Sequence, residues 1–170
     1  RADRLGLGSG MQLTRENEAR VIAEHLRSGA PDLVIVDSIQ TLVVDEGGVP
    51  GTVSQLRDST AVLVEAAKES GSTLVLIGHV TKQGSIAGPK IIEHVVDATF
   101  ALESAAGLRV LRSLKNRFGA TGEVGVFEMT ATGMQAVKNP SEAFLAERPE
   151  GAPGSVVVAA LEGQRPLLLE

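Results

Sequence analysis

Short, continuous apolar runs alternate along this chain with longer stretches in which apolar residues return at helical spacing. The clearest run is Asp32-Leu33-Val34-Ile35-Val36-Asp37-Ser38, rich in β-branched residues and ending in a carboxylate and a hydroxyl. An uninterrupted run, as opposed to an alternating one, predicts a parallel strand buried on both faces. The same form returns at Thr73-Leu74-Val75-Leu76-Ile77-Gly78-His79. Between the two, Thr52 to Ser70 carries Val53, Leu56, Leu63, Val64 and Ala67 on one helical face. Strand, helix and strand at this spacing predict a βαβ unit with a right-handed crossover. Asp37 and His79 then end at the same edge of one sheet, and ligands of open α/β sheets bind beyond that edge.

Around this unit the pattern is more broken. Arg1 to Gly6 reads as the end of a helix stopped by glycine, so the chain is expected to begin in mid-fold. Met11 to Leu13 predicts a short strand. Thr14 is the expected N-cap of a helix with Glu16 and Glu18 in its first turn and Ala19, Ile22, Ala23 and Leu26 on its apolar stripe, ended by Gly29 and Pro31. Asp45 to Gly51 reads as an exposed acidic connection. Thr81 to Lys90 holds two lysines, two glycines and a proline with little to bury, and Ile91 to Val96 predicts a short helix. Ala98 to Leu102 with Leu108 to Leu114, and Val124 to Met129 with Met134 to Val137, predict two hairpins. The region after Asp97 is therefore mostly antiparallel and extends the parallel half. Asn139-Pro140-Ser141 opens a helical turn. Glu147 to Gly154 has the composition of a linker, and Val156 to Leu161 with Leu167 to Leu169 predicts a last hairpin. The expected organisation is a core over 1–146, a linker over 147–154 and the start of a second domain over 155–170.

Composition narrows the classes. A chain of 170 residues suits one domain, or one domain and part of another. Hydrophobic residues make up 43% but aromatics only 2%, so Val, Leu, Ile and Ala must fill the core. A net charge of −5 argues against wholesale polyanion binding while leaving room for a local basic strip. With no cysteine there is neither a disulfide framework nor a thiolate metal site, which fits a reducing cytoplasm. No run approaches the roughly 20 apolar residues of a membrane span, and no signal peptide is visible.

The candidate chemistry sits at the strand ends. Asp37, supported by Ser38, is suited to hold the water shell of Mg²⁺ on nucleotide phosphates. The same pattern equally suits a carboxylate capping a turn. His79 could donate a hydrogen bond to a terminal phosphate, or be an ordinary polar residue. The loop from Thr81 to Lys90 leaves that edge hinged by glycines, and without aromatics any nucleic-acid contact there would rest on Lys82, Lys90 and backbone amides. Leu108, Val110, Leu114 and Phe118 assign one face of a strand, so Lys115 and Arg117 share the opposite face, roughly 6.6 Å apart. That spacing suits two cations on neighbouring phosphate oxygens, and equally a solvated strand end. His25 and His94 show no metal-ligand spacing, and no Ser/His/Asp constellation is arguable.

Three segments together carry a resemblance: Asp32-Leu-Val-Ile-Val-Asp-Ser-Ile-Gln-Thr41, Gly78-His-Val-Thr-Lys-Gln-Gly-Ser-Ile-Ala-Gly-Pro-Lys90 and Leu114-Lys-Asn-Arg-Phe-Gly119. They resemble the bacterial RadA/Sms DNA-repair ATPases, from about Arg1 to Glu170. The resemblance implies an α/β, RecA-like P-loop NTPase core with a parallel central sheet extended by antiparallel strands, its N-terminal part missing. It implies ATP and Mg²⁺ as cofactors, with Asp37 and Ser38 at the Walker B position and Asp37 holding the metal through water. It matches His79 to the position that senses the γ-phosphate, and Thr81, Lys82, Gln83 and Lys90 to a DNA-contacting loop. Lys115 and Arg117 match a signature thought to reach the nucleotide of a neighbouring subunit in a hexameric ring. The implied activity is branch migration on single-stranded DNA beside the RecA recombinase, in the cytoplasm. Gly154 to Glu170 resembles the start of a Lon-protease-like domain that serves as a scaffold.

The departures shape the expectation as much. The four-cysteine zinc module, the acidic residue that activates water and any Gly-x-x-x-x-Gly-Lys loop are absent from this sequence. The chain is therefore expected to be a piece of a longer motor that does not hydrolyse ATP by itself. Two rivals stand beside that reading: another RecA-like motor of the replicative-helicase or clock type, and a non-catalytic oligomerisation module that kept the fold.

Overall fold

The computed structural model describes residues 10–79, 91–105, 107–145, 156–162 and 165–169. The chain divides into two compact units, one of Gln12–Val96 and one containing the chain from Asp97 onward.

In the first unit, helix α1 (Ala19–Gly29) buries the four residues its spacing predicts, Ala19, Ile22, Ala23 and Leu26. It ends where Ala30 turns left-handed and donates its N–H to the Leu26 carbonyl, one residue before Pro31. Its start differs from the expectation. The Thr14 hydroxyl accepts the Glu16 N–H, while the Glu16 carboxylate accepts the N–H groups of Asn17 and Glu18 at 2.9 Å. Val43 then pairs in parallel with Glu18, taking the Ala19 N–H and donating to the Asn17 carbonyl. With those amides already engaged, the helix begins at Ala19, and Thr14 is not its cap. Met11 to Leu13 forms no strand; Met11 and Leu13 are exposed.

Strand β1 (Leu33–Asp37) pairs in parallel with β2 (Thr73–Ile77), from Leu33 opposite Thr73 to Asp37 opposite Ile77. Helix α2 (Val53–Ser70) connects them as predicted, and Gly71 at φ 74° ends it, letting the Ser72 N–H reach the Ala67 carbonyl. The buried face of α2 is not quite the predicted one. Val53, in the first turn, is exposed, whereas Ser59 and Thr60 are fully buried, and the Thr60 hydroxyl is satisfied by the Leu56 carbonyl. Small side chains on both helices let α1 and α2 pack together.

Among the described residues the core lies on one face of the sheet. Val34, Val36, Leu74 and Leu76 pack against α1 and α2, but Leu33 and Ile35 are 53% and 59% exposed. The continuous apolar run predicted burial on both faces; among the described residues the outward face of Leu33, Ile35 and Val75 is open. Residues 91–93 are helical and Ile92 joins the core, a shorter helix than Ile91 to Val96.

The second unit is a four-stranded antiparallel sheet in chain order: β3 (Ala98–Ala105), β4 (Leu108–Asn116), β5 (Val124–Thr130) and β6 (Gly133–Ala136). Both predicted hairpins are present. Helix α3 (Pro140–Leu145) follows. The last hairpin, β7 (Val158–Glu162) with β8 (Arg165–Leu169), is tied to it where the Leu168 N–H donates to the Ser141 hydroxyl. A lone hairpin is marginal in water, so this contact supplies support the sequence did not reveal. The predicted loop Thr81 to Lys90 and linker 147–154 lie outside the described residues.

Candidate functional site at the strand ends

Parallel pairing carries β1 and β2 to a shared carboxyl rim. Asp37 and His79 meet there, His79 Nε2 lying 3.9 Å from Asp37 Oδ1, with both side chains largely exposed. Alternation along β1 explains the exposure: Asp37 stands on the open face with Leu33 and Ile35, not on the Val36 face. Ser38, joined to Asp37 by a cis peptide, is buried instead. The structure therefore brings Asp37 and His79 together at the surface and sets Ser38 beneath them.

The floor of this rim is a 3₁₀ turn, Ile39–Thr41. The Ser38 carbonyl accepts both the Thr41 N–H (3.1 Å) and the Thr41 hydroxyl (2.8 Å), and Ile39 plugs into the core. From this turn Gln40 Nε2 donates to the His79 carbonyl at 3.1 Å. Sequence reasoning missed Gln40. Its available signal was an amide two residues past an Asp-Ser strand end, opposite a Gly-His end.

An exposed carboxylate at the carboxyl end of a parallel strand can hold a hydrated cation, and an imidazole beside it can donate to an anion the cation accompanies. Among the described residues no three His, Asp or Glu side chains converge on one metal position. The donor set thus fits a cation that brings most of its own ligands, as Mg²⁺ on phosphates does.

Lys115 and Arg117 lie in the second unit. The register of β3 and β4 slips between Thr99 and Phe100: Ser113 faces Phe100 and Lys115 faces Thr99, leaving Leu114 as the extra residue of a bulge. Strict alternation would set Lys115 opposite Val110. The bulge instead returns Lys115, half-buried, to the side of Val110 and Arg112, and leaves Leu114 exposed. Arg117 follows the end of β4, its guanidinium on the Asp97 carboxylate at 3.0 Å and its N–H on the Asp97 carbonyl at 2.9 Å. Asp97 is a second residue the sequence did not flag. The Asn116 side-chain oxygen accepts the Phe118 N–H, and a Cβ on Gly119 would sit 3.1 Å from Asn116 Nδ2, so the turn favours glycine there. Phe118, expected on the apolar face, is 83% exposed.

No protein-family model matches the sequence. Among solved structures, that of the RadB recombinase superposes over 74% of this chain and 63% of its own, with a TM-score of 0.54 at 22% identity. The fold is thus α/β and RecA-like, a parallel pair accompanied by antiparallel strands. Sequence comparison is more specific. The DNA repair protein RadA of Brucella abortus (strain 2308) is 48% identical over the whole of this chain, that of Halalkalibacterium halodurans 47% and that of Bacillus subtilis (strain 168) 45%. The chain spans 38% of the length of each of these relatives. It is a homologue of that part of the bacterial RadA DNA repair proteins.

Proposed function

We propose that this chain is part of a RecA-like, DNA-dependent ATPase of recombinational DNA repair. In this reading Asp37 holds the hydrated Mg²⁺ of ATP and His79 reports the γ-phosphate to the segment that follows it. Lys115 and Arg117 act on nucleotide bound by a neighbouring subunit of a hexameric ring, and Thr81, Lys82, Gln83 and Lys90 contact single-stranded DNA. The assembled protein works as a branch-migration motor beside the RecA recombinase in the cytoplasm, and residues 155–170 belong to its Lon-protease-like part. The carrying observation is the 3.9 Å approach of His79 to Asp37 at one rim of a parallel strand pair. The RadA relatives and the RecA-like fold support the wider reading.

The sequence has no Gly-x-x-x-x-Gly-Lys loop, so this chain by itself is expected not to turn over ATP. The same observation favours a second reading, a non-catalytic oligomerisation module. Equilibrium binding of Mg²⁺–ATP to a protein of the relatives' length carrying this segment separates the two. The motor reading expects binding, weakened roughly 10–100-fold by Asp37→Asn, the usual cost of disturbing a metal's outer shell. No binding by the unsubstituted protein would favour the module.

A further inference from the structure

The β1–β2 ladder ends at Asp37 opposite Ile77, so Gly78 and His79 continue past the last paired residue. The Gln40 side chain takes over where the ladder stops, donating to the His79 carbonyl at 3.1 Å. Its own backbone cannot drift, because it sits in the 3₁₀ turn bonded twice to the Ser38 carbonyl and anchored by buried Ile39. Gly78 lies across the amide: a Cβ there would sit 3.5 Å from Gln40 Nε2 and 3.6 Å from Ile39 Cγ2. Only one arm of that amide is engaged. Among the described residues Gln40 Oε1 is buried without a hydrogen-bond partner, an arrangement that folded proteins seldom leave without a reason.

We propose that Gln40 is a positioning residue that couples the two strand ends, so that the distance between Asp37 and His79 and the hold on the His79 carbonyl change together. The inference rests on the nucleotide reading of the rim. A shift of His79 toward a ligand on Asp37 must drag or break the Gln40 contact, because the turn bearing Gln40 is fixed to the Asp37 side. The unsatisfied Oε1 makes the engaged and released amide closer in energy than a fully bonded amide would allow, since release forfeits one bond and not two. Glutamine is the residue type this needs. Asparagine is one methylene too short, and glutamate would set a carboxylate against a carbonyl oxygen.

Two measurements test the proposal. In this chain, NMR should detect a scalar coupling across the hydrogen bond between the Gln40 side-chain nitrogen and the His79 carbonyl carbon. Gln40→Glu should abolish it and move the His79 resonances. In a protein of the relatives' length carrying this segment, Gln40→Ala and Gln40→Glu should each cut single-stranded-DNA stimulation of kcat about tenfold, within the usual range of a coupling between sites. KM for ATP should stay within about threefold, since nucleotide contacts are not removed. His79→Ala is run alongside. If it leaves the stimulation intact, the nucleotide reading of the rim fails, and this inference with it. If it removes the stimulation while both Gln40 variants retain it, the coupling role of Gln40 alone is refuted. A fall in thermal midpoint with unchanged stimulation would likewise reduce Gln40 to a structural residue and overturn the proposal.

Discussion

Two isoleucines four residues apart test how the rim is supported. Ile39 lies directly beneath it and is 1% exposed, whereas Ile35 on the open face of β1 is 59% exposed. Replacing either with Ala removes the same three carbons. At about 0.8 kcal/mol per buried carbon, Ile39→Ala loses about 2.4 kcal/mol of transfer free energy. The cavity left among packed neighbours raises the loss to about 3–4 kcal/mol, within the range for such substitutions. Ile35→Ala forfeits less than half the transfer term and opens no cavity, so its cost is about 1 kcal/mol or less. The chain has no Trp or Tyr, so urea unfolding is best followed by far-UV circular dichroism. That signal reports the right unit, because α1 and α2 supply 11 and 18 helical residues against 6 in α3. With a denaturant slope of about 1.5 kcal/mol/M, Ile39→Ala should lower the midpoint by about 2 M and Ile35→Ala by about 0.7 M or less. Equal losses for the two variants would refute the assignment of faces, and with it the claim that Asp37 stands on an uncovered surface.

Two further outcomes are expected, the first from the proposed function and the second from the start of α1. In a protein of the relatives' length, Arg117→Ala should abolish branch migration while sparing nucleotide binding, since a cation acting in trans is worth about 10³–10⁵ in rate in other phosphoryl-transfer systems; normal branch migration by this variant would remove Arg117 from the proposed role. The Glu16 carboxyl should titrate below the ordinary carboxylate range, because the Glu18 and Asn17 amides donate to its charged form. A lowered folded-state pKa contributes stability above the unfolded value and loses it as pH falls through the folded one. Carbon-detected NMR of Glu16 should therefore show a depressed midpoint, and Glu16→Gln should flatten the acid limb of α1 unfolding; an ordinary midpoint would mean the two amide bonds do not persist in solution.

Much of the first unit was legible because its determinants are local or periodic. The stripe of α1 and the two runs that became β1 and β2 are written in spacing and β-branching, and parallel pairing follows from the helix between them. The candidate rim was legible for the same reason: a strand's last polar residue marks its end. What escaped depends on partners distant in sequence. Val43 captures the amide of Ala19 and so delays the helix past Thr14, and nothing near Thr14 announces that. The open face of β1 escaped because a continuous apolar run reads identically whether one face or both are covered. Gln40 and Asp97 carry no signature of their own; each matters through bonds to one residue, 39 and 20 positions away.

The slipped register at Leu114 changes what the Lys-Asn-Arg-Phe-Gly letters mean. Deleting Leu114 would leave the signature spelled as before and its lysine still opposite Thr99, because the bulge absorbs the one residue removed. Parity along the strand is thus an unsafe guide to delivery of that charge. Here the pairing across the bulge, and not the count of residues back to the hairpin tip, decides which surface receives the lysine.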